Sequence, residues 1–463
     1  MSSDSSSSSP NVHLAAPHPD TIFALSAHGG DKRELLSGER AAELLAPLTA
    51  DAARAEKVHK ISLQGKSFGA DSAPHVAKAL QSTHSLRHAD FSDSIAGRNT
   101  DEALDTLQLL CDGIAANERI QLSHLDLSNN ALGVRGIPRI RNAFKNQSDL
   151  VHLFFNNDGL ESDAVTALTK LIMDNYPNKK TELRSFEIGH NCMQDDGFLA
   201  LIPLIEASPM LQTLRISTTR VQNDKGAGLA MSKALLGLKH LTSLSINDNN
   251  LGGEAGPVLA QVIRNNATHL SHLNLGDIGV KEHGVEAVMQ AIAEISPNTI
   301  THLDLSANEL TSSSKHAGLL ARIVARQSGS LEHLKLEDNE LKSRGTIRLL
   351  RALHHCRKLS YLNLTNNQLG PRSAEAVLHF LSSMPSLREL HLNGNHFRAA
   401  TLQHIKDALA KDTKLETMSD NEEESDEEED EESEGDEDEA PAAHDAAVDA
   451  LTAGLAATKV EHK

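Results

Sequence analysis

One spacing of apolar residues recurs along the chain: L-x-x-L-x-L-x-x-N-x-L. It reads Leu122, Leu125, Leu127, Asn130, Leu132, and again Leu241, Leu244, Ile246, Asn249, Leu251. It returns from Ile300 to Leu310, Leu331 to Leu341, Leu359 to Leu369 and Leu387 to Phe397. Looser copies start at Val58, Leu86, Leu150, Leu183, Leu211 and Leu270. That makes about twelve copies, mostly about 28 to 31 residues apart, too many registers of one pattern to arise by chance.

Each copy predicts its own local structure. In L-x-L the apolar residues alternate, so they point into a core from a short strand while their neighbours line the open face. The Asn two residues before the last Leu is expected to be buried at the turn, bonding backbone groups left unpaired where the strand ends. Asn130, Asn191, Asn249, Asn308, Asn339, Asn367 and Asn395 fill that slot. Asp158, Thr219 and Ile278 replace it in three copies, where a weaker ladder is expected. After each strand a helical stretch is expected, such as Ala255 to Ile263 or Ala374 to Leu381, with apolar residues at i, i+3, i+4 spacing. The implied fold is an α/β leucine-rich-repeat solenoid, a ribonuclease-inhibitor-like horseshoe with a concave parallel sheet and outer helices.

Composition agrees with a stacked aliphatic core: the 463 residues include no Trp, two Tyr and 3% aromatics. The net charge of −20 is concentrated at one end, since sixteen of the twenty residues from Asp420 to Glu439 are acidic and the rest of the chain carries only −4. A nearly neutral repeat region argues against binding nucleic-acid phosphates. Cys111, Cys192 and Cys356 are odd in number and far apart, which predicts a reduced compartment and neither disulfides nor a zinc site. The serine run near the N-terminus lacks the basic start and apolar core of a signal peptide, and no apolar stretch approaches the ~20 residues that span a bilayer. The chain therefore reads as cytoplasmic. Its expected segments are a disordered Ser-rich stretch at 1–20, a cap at 21–57, repeats over 58–417, an acidic disordered tail at 418–440, and a last piece at 441–463. In that last piece, Val448, Leu451 and Leu455 would share one side of a short helix.

Two copies are longer than the rest, and insertions in a solenoid map to loops. Between Leu86 and Leu122 the spacing is 36 residues, and the extra residues run from Phe91-Ser92-Asp93 through Gly97-Arg98-Asn99 to Asp101-Glu102. Asn99 and Glu102 form a candidate capping box. Arg98 then precedes a helix N-terminus, where the dipole disfavours a cation, so it is not there to stabilise that helix. It is open to two readings, a functional loop arginine or a solvated one tied to Asp93 or Asp101. The second insertion, between Leu150 and Leu183, contains Asn178-Lys179-Lys180, which spacing alone reads as a solvated basic loop.

Phe-Ser-Asp-x-x-x-Gly-Arg-x-x-Asp-Glu over residues 91 to 102, in the second repeat of a long-repeat array with an acidic tail, resembles the Ran GTPase-activating proteins. The resemblance implies a protein that stimulates GTP hydrolysis by a Ran-type small GTPase in its GTP form, alone or with a Ran-binding protein, in nucleocytoplasmic transport. It would be a cytoplasmic or perinuclear monomer with no cofactor of its own and no membrane insertion, since nucleotide, magnesium and the water-orienting Gln belong to the GTPase. Arg98 matches the family's loop arginine; because that family is described as working without an arginine finger, the resemblance gives Arg98 the role of orienting the loop. Within Leu153-Phe154-Phe155-Asn156-Asn157-Asp158-Gly159-Leu160, Asn157 falls on the asparagine that positions the GTPase's catalytic Gln. The same resemblance makes Asp93, Gly97, Asp101, Asn156, Lys179 and Lys180 candidate partner contacts. Two departures stand out. Thr100 replaces a lysine, and Gly189-His190-Asn191-Cys192-Met193 replaces a basic turn.

Other constellations carry less. His354-His355-Cys356 lacks a fourth ligand for zinc. His124, His272, His302 and His333 recur with the repeat and read as strand-edge spacers. There is no glycine-rich phosphate loop and no G-x-S-x-G elbow. The alternative from a different class is a non-catalytic scaffold or acidic chaperone whose tail binds basic proteins.

Overall fold

A computed structural model describes residues 21–25, 34–176, 178, 180–409 and 414–415. The acidic run, both chain termini and Lys179 lie outside the described residues. The chain divides into two compact units, Met1–Asp158 and Gly159–Lys463.

The first unit contains strands β1 (Ile22–Ala24), β2 (Glu34–Leu35), β3 (Lys60–Ser62), β4 (Lys66–Ser67), β5 (His88–Asp90), β6 (His124–Asp126) and β7 (His152–Phe154). Its helices are α1 (Gly38–Thr49), α2 (Ala52–Lys57), α3 (Ala73–Ser82), α4 (Thr100–Ala115) and the single turn α5 (Gly133–Gly136). Strands β1, β3, β5, β6 and β7 pair in parallel, in that order, and β2 pairs with β4 in a separate two-stranded parallel sheet. The cap thus contributes a strand of its own to the repeat sheet and a second strand at the edge of the first repeat.

The second unit alternates helix and strand. Its helices are α6 (Ser162–Asp174), α7 (Gln194–Glu206), α8 (Ala227–Leu235), α9 (Ala255–Asn265), α10 (Lys281–Glu294), α11 (Ser314–Arg326), α12 (Lys342–Leu353), α13 (Pro371–Ser383) and α14 (Ala399–Ala408). Its strands are β8 (Ser185–Glu187), β9 (Thr213–Arg215), β10 (Ser243–Ser245), β11 (His272–Asn274), β12 (His302–Asp304), β13 (His333–Lys335), β14 (Tyr361–Asn363), β15 (Glu389–His391) and β16 (Lys414–Leu415), paired in parallel in chain order. This is the leucine-rich-repeat α/β architecture.

The registers join equivalent residues. Leu244 faces Leu273, Leu273 faces Leu303, and Leu303 faces Leu334, each the middle apolar residue of its strand and each buried. Burying one such side chain stabilises by roughly 1.5–3 kcal/mol, and the repeat multiplies that gain at every strand. In α9 the apolar residues Leu259, Ala260 and Ile263 bury one face. The helix ends at Asn266, whose buried amide donates to Leu238 O and Val262 O and accepts from Leu241 N. Gln147 and Gln327 do the same at two other helix-to-strand turns, accepting from Leu122 N and Ile300 N. These amides form a second set of repeat links, which the strand motif does not contain.

The asparagine ladder is built as the pattern requires. Asn130 donates to Phe91 O, Leu127 O and Ser128 O and accepts from Ser94 N. A polar link is kept at two of the three substituted slots. Asp158 Oδ1 accepts from Asn130 N at 2.8 Å, and Thr219 donates its hydroxyl to Asn249 Oδ1 at 2.6 Å. Only at Ile278 does an apolar, fully packed side chain replace the polar link. The expected helix after β6 is also cut short. Gly133, Gly136 and Pro138 interrupt it, so α5 is followed by a 3₁₀ turn, Arg141–Phe144, instead of continuing.

Candidate functional site

The candidate residues of the first unit lie along one edge of its sheet, where the chain leaves β5, β6 and β7. At this edge the turns stay in register beyond the strands: Asp93 N donates to Ser128 O and Asn129 N to Asn156 O. Asp93, Asn129 and Asn157 therefore occupy equivalent positions in three successive repeats. With neighbouring strands about 4.8 Å apart, Asp93 and Asn157 stand about 10 Å apart along the rim.

The inserted loop is fixed at both ends. Asn99 opens α4 by accepting from Glu102 N (3.0 Å), and its side-chain amide donates to Glu102 Oε2 (3.2 Å), so the return link joins two side chains where a capping box would use the Asn99 backbone N–H. Arg98 turns back onto the cap. Its Nη2 donates to Leu36 O (3.0 Å) and Ser67 O (3.1 Å), its Nε donates to Ser67 Oγ (3.3 Å), and its Nη1 lies 3.5 Å from Glu102 Oε1. It is bound neither to Asp93 nor to Asp101; Asp101 instead pairs with Arg135 at 3.0 Å. The guanidinium thus continues the β2–β4 pairing, joining cap, first repeat and loop through carbonyls that would otherwise end a sheet. Gly69 leaves room for it, since a Cβ there would sit 2.8 Å from the guanidinium carbon. Gly97 takes a positive φ of 84°, which turns the chain so that Arg98 faces inward.

This geometry gives a first prediction. Arg98→Ala removes three hydrogen bonds from a half-buried site and is expected to destabilise the first unit by about 1–3 kcal/mol. Urea unfolding read by circular dichroism measures it. Arg98→Lys should recover little, because an ammonium lacks the fork that reaches both carbonyls. An unchanged midpoint in Arg98→Ala would remove the anchoring role.

Asn157 is exposed, with φ 56°, and its amide donates to Asn129 Oδ1 at 2.9 Å. Asn156 beside it is half-buried, and its backbone N–H donates to Ser128 Oγ. The left-handed conformation at 157 is shared. Asp93, Asn129, His190, Thr218, Asp248, Asp277, Ala307, Asp338 and Asn366, each the residue before the ladder slot, all have positive φ. Asn and Asp tolerate that region best, so the backbone alone accounts for many amides and acids at this position. Asn366 repeats the side-chain contact too, donating to Asp338 Oδ1 at 2.6 Å.

Asp158, the ladder residue after Asn157, is fully buried. Burial holds its carboxyl well above the usual carboxylate range; Asp126 pushes the same way, and the Asn130 amide opposes both. Burial thus favours the neutral carboxyl at 158, in the slot that an asparagine fills in most other repeats.

In the second unit, Lys180 is exposed after α6, while Lys179 lies outside the described residues. The turn Gly189 to Met193 contains His190, whose Nε2 lies 3.0 Å from Arg215 Nη2. Arg215 also donates to Ser217 Oγ at 3.0 Å. It thus brings a positive charge to a turn that lacks a lysine or arginine. Sequence reasoning passed over it because it stands on the next strand, 25 residues away.

The histidines at the first position of the strands form two stacks on the face away from the helices. In the first unit His88, His124 and His152 stack with ring centres 4.6 and 3.9 Å apart. In the second, His272, His302 and His333 stack at 4.3 and 4.2 Å, and Tyr361 extends the column at 5.5 Å. Near-parallel rings cannot aim their nitrogens at a common metal ion.

Comparison with known proteins bears on the repeats. A profile described as the MHP1/HER1/GIP3 LRR domain matches residues 178–422, more than half of the chain. The chain belongs to this leucine-rich-repeat family. It is also similar to Ran GTPase-activating protein 1 of Saccharomyces cerevisiae, 24% identical over 61% of this chain and 71% of that protein. RAN GTPase-activating protein 1 of Arabidopsis thaliana is 35% identical over 29% of this chain, and this chain spans only 24% of that protein's length. The human NACHT, LRR and PYD domains-containing protein 5 is 23% identical over 64% of this chain and 24% of its own length. Likeness along the repeats is therefore shared with leucine-rich-repeat proteins of different names. No helix among the described residues is long and apolar enough to cross a membrane.

Proposed function

We propose that this leucine-rich-repeat protein is a GTPase activator acting on a Ran-type small GTPase in its GTP form, in the cytoplasmic steps of nucleocytoplasmic transport. The observation that carries the reading is the single rim of the first unit. It holds both the inserted loop anchored by Arg98 and, two strand spacings on, the exposed amide of Asn157. The likeness to proteins named Ran GTPase-activating protein supports the same reading.

The chain's chemical contribution is positional. Nucleotide, magnesium and attacking water sit on the partner GTPase, where a catalytic Gln must be held in one orientation. The amide of Asn157 can both donate and accept, so it can hold another amide, and its contact with Asn129 restricts it beforehand. Arg98, turned into the cap, is a positioning residue for the loop. Asp93, Gly97, Asp101 and Asn156 belong to the same turns and inserted loop and are proposed partner contacts; Lys179, Lys180 and Arg215 are proposed as basic contacts of the second unit taken by itself.

The deciding experiment is single-turnover GTP hydrolysis by purified Ran, with and without catalytic amounts of the full chain. Acceleration by about 10³-fold or more, in the range of GTPase activators, is the expected result. No acceleration by a protein with native circular dichroism would leave a binding solenoid and overturn the proposal.

A further inference from the structure

The helices of the second unit change charge along the chain. Those from α7 to α10 carry three lysines and arginines against six acidic residues. Those from α11 to α14 carry nine against two, Glu375 and Asp407. The bias peaks at α12, which has Lys342, Arg344, Arg348 and Arg351 and no acidic residue, and it continues past the helix end into exposed Arg357 and Lys358. Where α12 meets α13 there is an open groove of about 560 Å³. Its lining includes Leu350 and Phe380, the basic Arg351 and Arg372, the acidic Glu375, and the stacked rings of His354 and His379.

This basic face stands beside the place from which the chain's acidic run departs. Asp420 comes five residues after Leu415, the last residue of β16, and sixteen of the twenty residues from Asp420 to Glu439 are acidic. An extended 20-residue run covers about 66–72 Å. Packed helices are about 10 Å apart, so α13 and α12 are within easy reach from the end of the array. Tethering raises the local concentration of the run to about the millimolar range, enough to fill a site too weak to bind it from solution. Elsewhere in the second unit the helical face from α7 to α10 is net acidic and would repel it.

We propose that residues 420–439 dock in cis on the basic helical face formed by α12 and α13. The contact is electrostatic and salt-sensitive. It covers a cationic face that would otherwise attract unrelated polyanions, and it occupies an acidic segment that would otherwise attract unrelated basic proteins. The contact involves none of the rim residues of the first unit, and the proposal stands or falls independently of the GTPase reading.

Zero-length carbodiimide coupling of the full chain, followed by mass spectrometry, tests it by joining lysine amines to carboxylates in contact. At low salt, links from residues 420–439 are expected to be several-fold more frequent at Lys342, Lys358 and Lys406 than at the exposed Lys78, Lys239 and Lys281. They should disappear near 1 M salt, where the Debye length is about 3 Å. They should also fall in a variant carrying Arg344→Glu, Arg351→Glu and Arg372→Glu, three exposed positions outside the core. An even spread of links over all exposed lysines, or links unchanged in that variant, would overturn the proposal. Links confined to a covalent dimer would also overturn it, by making a second copy the occupant.

Discussion

Asn157→Ala is expected to lose most of the stimulated GTP hydrolysis, on the order of 10²-fold or more in single-turnover rate, with the first unit still folded. The amide is exposed and makes a single hydrogen bond among the described residues, to Asn129. Its loss therefore opens no core cavity. The substitution does carry a backbone cost, because φ is 56° and alanine in the left-handed region costs roughly 1–2 kcal/mol. Two further variants separate that strain from the chemistry. Asn157→Gly removes the amide while suiting the backbone, so it should be as inactive as the alanine variant yet more stable. Asn366→Ala removes the same kind of contact at the same left-handed position in the second unit, so it should lose similar stability and keep full activity. If Asn157→Gly activates like the parent, Asn157 has only a turn-forming role and the mechanism must be reassigned.

The repeat was legible because each strand is specified by three apolar residues whose alternation admits one inward face. Leu125, Leu244, Leu303 and Leu362 each sit at the centre of a strand and are buried. The parallel pairing follows, since equal repeats with an intervening helix bring equal positions together. Three features were not legible in that pattern. The buried amides of Asn266, Gln147 and Gln327 stand three or four residues before the next copy of the motif, but other copies place Thr83, Ser208, Cys356 or Met384 there, so no residue type marks the slot. The partners of Arg98 are Leu36 O and Ser67 O, backbone atoms that carry no sequence signal, and the first lies 62 residues away. The short α5 depended on Gly133, Gly136 and Pro138 acting together. At the candidate site, sequence placed the residues on successive turns, but their type was ambiguous. The left-handed backbone before every ladder slot selects Asn and Asp for reasons unrelated to a partner. Only the coincidence of Asn157 with the anchored loop on one rim adds to that.

The histidine stacks predict a steep loss of stability in acid. His88 and His302 are held down to about 4 and His124 to about 3. Burial is the largest cause in each case, and neighbouring histidines add to it; Lys60 and Lys335 push the same way, while Asp90 opposes at His88. His272 and His333 are lowered as well, against the opposing pull of Glu332. The unfolded chain takes up these protons near pH 6.5 and the folded chain does not, so stability is full above that pH and falls between pH 6.5 and about 3–4. Each pH unit across that window withdraws at most about 1.4 kcal/mol per group, and solvent screening of these half-buried, mutually interacting rings reduces that figure. Urea midpoints at pH 7, 5.5 and 4.5 measure the slope. His124→Tyr is the test variant, because Tyr361 already occupies the equivalent place in the second stack and tyrosine takes up no proton in this range. It should match the parent at pH 7 and lose markedly less at pH 4.5. Asp158 works in the opposite sense. Its raised folded value makes the fold weaker as pH rises past the unfolded carboxyl near 4, so Asp158→Asn should stabilise at pH 7 and change little at pH 3. A flat stability profile from pH 7 to 4.5 would mean that the stacked rings take up protons as readily as free histidines, and that their burial places no penalty on their charge.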